Sequence, residues 1–191
     1  MKSNYEKKEI GDILSNLDEK IDIAFRNQLI MAVYQSIPRN YNLDFYMSEV
    51  EIHSLGYIQK EPGITAKKLG ALTYRTKGTI SSMISRLEKE GFVEQKISPH
   101  NKREHLLFLT PKGEFACTQH TAFDRKSISS FLIEISKYCT PEDIDGFFKV
   151  LHYRSEYFEK IIKKDREEYT EESKKLKASR QSQIEKLKKI N

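Results

Sequence analysis

Between Thr76 and Phe92 the sequence reads TKGTISSMISRLEKEGF, and its side chains sort into two helical faces. Ile80, Met83, Ile84 and Leu87 follow the i, i+3, i+4, i+7 spacing of one buried stripe. The opposite face carries Gly78, Ser81, Ser82 and Ser85, where a solvated helix ordinarily carries Lys, Glu or Gln. Short side chains let a helix backbone approach another surface closely, and serine hydroxyls both donate and accept hydrogen bonds. Thr76 is placed to cap the helix, next to Thr79 in the first turn. The free N–H groups there, with the helix dipole, offer a seat for an anion. Arg75, Lys77 and Arg86 add cations beside it. This is the chemistry of a polyanion contact. The plainer alternative is a helix whose small face packs against another part of the protein.

The charge distribution favours the polyanion. Residues 67–103 carry a net charge of +6 and residues 160–191 carry +5, whereas 1–66 and 104–159 carry −3 each. A basic block between acidic ones is the electrostatic footprint of a surface that meets nucleic acid. Enzyme signatures are missing from the sequence: no P-loop, dinucleotide-binding glycine turn, His-Glu-x-x-His or nucleophile elbow occurs. A non-enzyme is expected, with no cofactor.

The elements that must position the helix follow from period and punctuation. Apolar residues from Ile10 to Ile37 recur at helical steps, and Pro38 ends them. Ser48 and Glu51 stand in capping-box spacing for a helix that stops before Pro62-Gly63. Thr65 caps a short helix, and Thr76 caps the next, which Gly91 terminates. Then the period changes: FVEQKI alternates, SPHNKRE is a cationic turn, and HLLFLT has strand character. Three close-set helices followed by a basic two-stranded hairpin make a winged helix-turn-helix. Thr110-Pro111 and Thr140-Pro141 each open a further helix, the first reaching about Cys139. Beyond Asp165 the apolar residues thin out, leaving a charged tail that is helical or disordered. The expected fold is mainly α, a winged helix-turn-helix with a two-stranded wing and long dimerisation helices. Its parts are an N-terminal helix in 1–40, the winged domain in 41–110, C-terminal helices in 111–164 and a basic tail in 165–191.

ITAKKLGALTYRTKGTISSMISRLEKEGFVEQ and SPHNKREHLLFLTPKG, within Ser48–Gly113, resemble the MarR family of bacterial transcriptional regulators. That family typically shows Asp-Pro-x-Asp-Arg-Arg in the wing, followed by Leu-Thr-x-x-Gly. Here the wing reads Ser98-Pro99-His100-Asn101-Lys102-Arg103, followed by Leu109-Thr110-Pro111-Lys112-Gly113. The resemblance implies that the wing, His100 to Arg103, contacts DNA, with Arg103 in the minor groove. It likewise makes the Thr76 helix the recognition helix, with Arg75, Thr76, Lys77, Gly78, Thr79, Ser81, Ser82, Ser85 and Arg86 as its contacts. Ser98 and Asn101 replace both acidic positions, so the family's Asp-to-Arg clamp of the wing is missing and a more cationic tip is expected.

The outer helices hold more apolar stripe than one winged core can cover, and in the family such segments interleave between two chains. Ile13, Leu17, Ile21, Phe147, Leu151 and Phe158 are the expected dimer surface. An intrachain bundle is the alternative. A homodimer presents two recognition helices to a pseudo-palindromic operator in double-stranded DNA. The resemblance further implies a small-molecule, metal or redox signal that changes the spacing of the two DNA-binding lobes. A repressor released by a small-molecule effector is expected, with Tyr34, Phe45, Tyr46 and His53 either lining its pocket or belonging to the core. The charged N-terminus makes a cytoplasmic location the expectation. A non-specific accessory nucleic-acid-binding protein is the alternative function.

Cys117 and Cys139 fit a reducing compartment and buried packing. Cys117-x-x-His120 puts a thiol and an imidazole one turn apart, with His152 as a distant third, but no second tight pair occurs and no metal is expected. No apolar run approaches the roughly 18 residues that span a bilayer, and no membrane partner is expected.

Overall fold

The computed structural model describes residues 11–188; Ile10 and residues 189–191, at the ends of the expected first helix and basic tail, lie outside the described residues. The chain divides into two units, one ending at Ser127 and the other starting at Ile128.

The first unit contains the winged helix-turn-helix. Helix α1 spans Leu17–Ser36, α2 Glu49–Lys60, α3 Ala66–Leu72 and α4 Lys77–Lys89. Strand β1 is Ile64–Thr65, β2 is Val93–Ile97 and β3 is His105–Leu109. Helix α5, Pro111–Ile135, starts in this unit. The caps expected from sequence are formed. Ser48 and Glu51 make a reciprocal capping box, and Thr65 and Thr76 accept the N–H groups of Lys68 and Thr79. Gly91 has φ +76°, the left-handed conformation that ends α4 at no Cβ cost.

The sheet has three strands, in the order β1-β3-β2, rather than the two of a simple hairpin. β2 and β3 pair antiparallel from Val93–Leu109 to Ile97–His105, and β1 adds Ile64–Leu107 and Thr65–Leu106. Two residues are too few for a periodic signal. They extend because Gly63, at φ +88°, turns the chain and donates its N–H to the Leu107 carbonyl at 2.8 Å. The core lies where α2, α3 and α4 meet this sheet. Met47, Ile52, Leu55, Ile58, Leu69, Leu87, Phe92 and Leu107 are completely buried within it.

The expected first helix is interrupted. Asn16 adopts φ +53°, so α1 begins at Leu17, after helical residues 11–13 and a three-residue turn. Asn tolerates the left-handed region better than other non-glycine residues, and apolar periodicity does not register a single residue of this kind. No residue of α1 is buried. An antiparallel bridge between Arg39 and Met47, with two 2.9 Å hydrogen bonds, closes the loop that follows it.

In the second unit, α6 runs unbroken over Pro141–Lys188, so the described part of the basic tail continues the helix of the preceding segment. Thr140 caps it: Asp143 accepts from the Thr140 N–H and hydroxyl at 2.9 Å each, and these bonds hold its carboxyl below the usual carboxylate pKa. No helix among the described residues is long and apolar enough to cross a membrane.

Gly113 joins α5 to the sheet. Any Cβ there would collide with the Phe92 carbonyl, which already accepts the Thr110 N–H at 3.1 Å. Gly113→Ala is therefore expected to lose about 1–3 kcal/mol of stability in urea unfolding, the usual cost of overpacking. Wild-type stability would mean that α5 can shift away at no cost.

Candidate nucleic-acid interface

Helix α4 divides as its sequence implies. Ile80, Met83, Ile84 and Leu87 are buried, and Gly78, Ser81, Ser82 and Ser85 are exposed. Among the described residues none of the three serine hydroxyls is held by a hydrogen bond, and a Cβ at Gly78 would meet only open space. At the N-terminus, the Thr76 hydroxyl accepts the Thr79 N–H at 3.3 Å and lies 2.9 Å from the Thr79 hydroxyl. The remaining first-turn N–H groups keep their free direction along the axis. Helix α3 packs closely under this end because Gly70 leaves space; a Cβ there would sit 3.3 Å from the Arg75 carbonyl oxygen and 3.4 Å from Ile80.

A buried carboxylate fixes α4 to α2. Glu51 is only 5% exposed. Its Oε2 accepts the Ser48 N–H and hydroxyl, both at 2.8 Å, and its Oε1 accepts from Nη1 of Arg86. Arg86 Nη2 donates to the Tyr46 carbonyl at 2.9 Å, and the guanidinium lies 4.7 Å from the centre of the Phe45 ring. Arg86 was expected among the nucleic-acid contacts. Its guanidinium, half exposed, is committed to Glu51 and to the Tyr46 carbonyl, where it positions the helix. Its spacing in the last turn of an amphipathic helix could not reveal this, because the partner lies 35 residues away.

The other cations of the expected surface behave differently. Arg75, Lys77, Lys102 and Arg103 are exposed, and among the described residues none has a carboxylate in ion-pair range. By contrast Lys68 pairs with Glu61 at 2.6 Å and Lys96 with Glu94 at 2.6 Å. At the wing tip Asn101 does not clamp an arginine side chain. Its Oδ1 accepts the Arg103 backbone N–H at 3.1 Å, its carbonyl accepts the Glu104 N–H at 2.9 Å, and Ser98 closes the turn onto Glu104 at 2.9 Å. The tip is held by a local side-chain-to-backbone turn. His100, Asn101, Lys102 and Arg103 are all exposed.

Of the four expected pocket residues, Tyr34 and Phe45 make stacking contacts, and Tyr46 and His53 line two different clefts. Arg39 stacks on Tyr34 at 4.2 Å, and Phe45 packs on Phe92 and under Arg86. Tyr46 lines a cleft of about 390 Å³ with Glu51, Arg75 and Arg86. His53 lines a larger one, about 610 Å³, with Gln35, Glu49, Tyr57, Thr73 and Arg75. Aromatic type alone does not tell a stacking residue from a lining one.

Cys117 is buried, which pushes its thiol pKa up to about 11, with a smaller contribution from the Glu114 charge. A thiol held protonated in this way is a poor ligand and a poor nucleophile. His120 faces His53 and Asp124 rather than Cys117. His152 pairs with Glu156 on its own helix at 3.6 Å.

The expected dimer residues Ile13, Leu17, Ile21, Phe147 and Phe158 are between 45% and 59% exposed in the single chain, and Leu151 is half-buried.

The Glu51–Arg86 contact is testable. Glu51→Gln and Arg86→Met are each expected to destabilise the chain, and the double variant by less than their sum. A double-mutant cycle in urea should give a coupling of at least about 1 kcal/mol; additive losses would mean that the pair does not join the helices.

Residues 47–105 match the MarR family model. Over 85 residues the chain is 33% identical to the HTH-type transcriptional regulator BilQ of Clostridium symbiosum, a match covering 42% of this chain and 59% of that one. The chain thus spans less than two thirds of that curated relative. Among solved structures it is similar to FabT of Streptococcus pneumoniae in complex with DNA, with a TM-score of 0.55, 24% identity, and coverage of 76% of this chain and 96% of that one. It is also similar to PcaV of Streptomyces coelicolor in complex with its natural ligand, with a TM-score of 0.54, 16% identity, and coverage of 75% and 94%. Those likenesses are likenesses of fold. The family match lies within the winged helix-turn-helix, which over residues 47–105 is similar to that of the MarR family.

Proposed function

We propose that this chain is a sequence-specific, double-stranded-DNA-binding transcriptional regulator that works as a homodimer. The observation that carries the reading is the exposed small face of α4, held against α2 by the Glu51–Arg86 contact. A rigid helix with an open serine face suits entry into the major groove, where hydroxyls meet base edges directly or through water. Lys77 and the α4 N-terminus then seat a phosphate, and Arg75 lies beside them. On the wing, Arg103 and Lys102 meet the adjacent backbone and minor groove, with His100 and Asn101 shaping the tip. The similarity to a transcriptional regulator and to a protein solved in complex with DNA supports the same reading.

The dimer rests on the unburied apolar faces. Helix α1 buries none of its residues within the chain, and Phe147 and Phe158 on α6 are likewise exposed. Apolar faces this extensive mark an interaction surface. Two recognition helices then read a pseudo-palindromic site. Regulation is by release: the chain acts as a cytoplasmic repressor, and a small effector, as in the ligand-bound PcaV structure, occupies the cleft beside His53. The effector acts by binding one of two dimer states more tightly than the other. We read the chain as having no enzymatic role.

A second reading, a non-specific accessory nucleic-acid-binding protein, is favoured by the +5 charge of residues 160–191. Competition of a selected duplex against random duplex at two salt concentrations separates the two; a steep salt slope without sequence preference supports the accessory reading.

Arg103→Ala should weaken binding to a duplex selected from a random pool by roughly tenfold, about 1.4 kcal/mol, and leave the dimer and its helical content unchanged. Wild-type affinity would remove the wing from the interface. Lys77→Ala should reduce the slope of log K against log salt by about one, and an unchanged slope would take Lys77 off the phosphate.

A further inference from the structure

Helices α2 and α5 bring together polar groups that neither the core nor the DNA-facing surface requires. His120, on α5, is 8% exposed, and Asp124 follows one turn later with its Oδ1 3.3 Å from His120 Nε2. His53, on α2, meets the His120 ring edge-on, with centroids 4.7 Å apart. One potential ligand atom from each of the three lies within 4.8 Å of the others. Glu49, one turn before His53, places Oε1 3.7 Å from His53 Nε2. Its other oxygen, Oε2, is buried without a hydrogen-bond partner among the described residues. A buried acceptor left unmatched costs about 1–3 kcal/mol, so it calls for a positive partner that the chain's own donors do not supply.

We propose that His53, His120 and Asp124 form a binding site for one divalent transition-metal ion of the zinc type, with the Glu49 carboxylate beside it. Two imidazoles and a carboxylate are a borderline donor set of the kind that zinc takes, and a fourth position stays open to Glu49 or water. Donor atoms about 2.0–2.1 Å from a tetrahedral ion lie roughly 3.3 Å apart, the spacing already held by His120 and Asp124. The remaining closure falls to His53, whose side chain is 49% exposed and free to adjust. Two carboxylates match the ion's charge. The sequence set His120 beside Cys117 and led to no metal being expected; the proposed site draws on other partners. A His and an Asp four apart on one helix face were readable in sequence; the third ligand, 67 positions earlier, was not.

The test uses the full chain, stripped of metal by chelator dialysis and titrated with Zn²⁺ against a chromogenic chelator. Co²⁺ serves as a spectroscopic probe. The expected result is one equivalent per chain, with Co²⁺ giving the intense visible bands of a tetrahedral site. His53→Gln and Asp124→Asn should each lower the affinity by at least about tenfold, and Cys117→Ser should leave it unchanged. These two ligand variants carry the test even where His120→Gln fails to fold, since His53 and Asp124 are both partly exposed. Thermal unfolding confirms that each variant is folded. Sub-stoichiometric uptake, or uptake indifferent to both ligand substitutions, overturns the site; so does loss of binding with Cys117→Ser alone. Because the readout is the ion itself, the outcome is independent of any DNA contact.

Discussion

The Glu51 carboxylate is the point on which the arrangement depends. One oxygen satisfies the Ser48 end of α2, and the other receives Arg86 from α4. A helix cap and the helix with the small exposed face therefore share one buried charge. Breaking a buried pair by removing one partner leaves an uncompensated charge in the protein interior, so each partner enforces the other's position. The half-exposed guanidinium tempers the energy involved, because water screens what the carboxylate does not. What the pair supplies above all is orientation. With Arg86 committed to Glu51 and the Ile80–Leu87 stripe buried, α4 has one way to sit, and its small face turns outward.

Charge pairing sorts the remaining cations. Lys68 and Lys96 lie against carboxylates of their own surroundings, while Arg75, Lys77, Lys102 and Arg103 keep exposed heads without such partners among the described residues. A net-charge count treats all of these residues alike; the structure separates those that are locally neutralised from those available to a polyanion. The wing follows the same economy. Asn101 shapes the tip through backbone hydrogen bonds and consumes no cation in doing so, which leaves Arg103 uncommitted.

Much of this was readable before any coordinates. The Ser48–Glu51 box, the Thr65 and Thr76 caps, the Gly91 stop and the two faces of α4 are local devices, each written within a few residues, and all are formed. The failures are non-local or very small. The pairing of Arg86 with Glu51 was not visible because the partner belongs to another helix. Strand β1 is too short to show a period, and Asn16 breaks a helix by one left-handed residue. Which of Tyr34, Phe45, Tyr46 and His53 stack and which line a cleft depends on packing that no spacing rule encodes. The grouping of His53 with His120 and Asp124 requires α2 to lie against α5, which only the tertiary fold supplies.

The central claim is that the face bearing Ser81, Ser82 and Ser85 is low because a duplex lies on it. Replacing all three with Gln tests this directly, because glutamine is a better helix former than serine and these positions are exposed. The account predicts a folded variant at least as stable as wild type whose preference for a selected duplex over random duplex is lost. A variant that keeps that preference with undiminished affinity would contradict it.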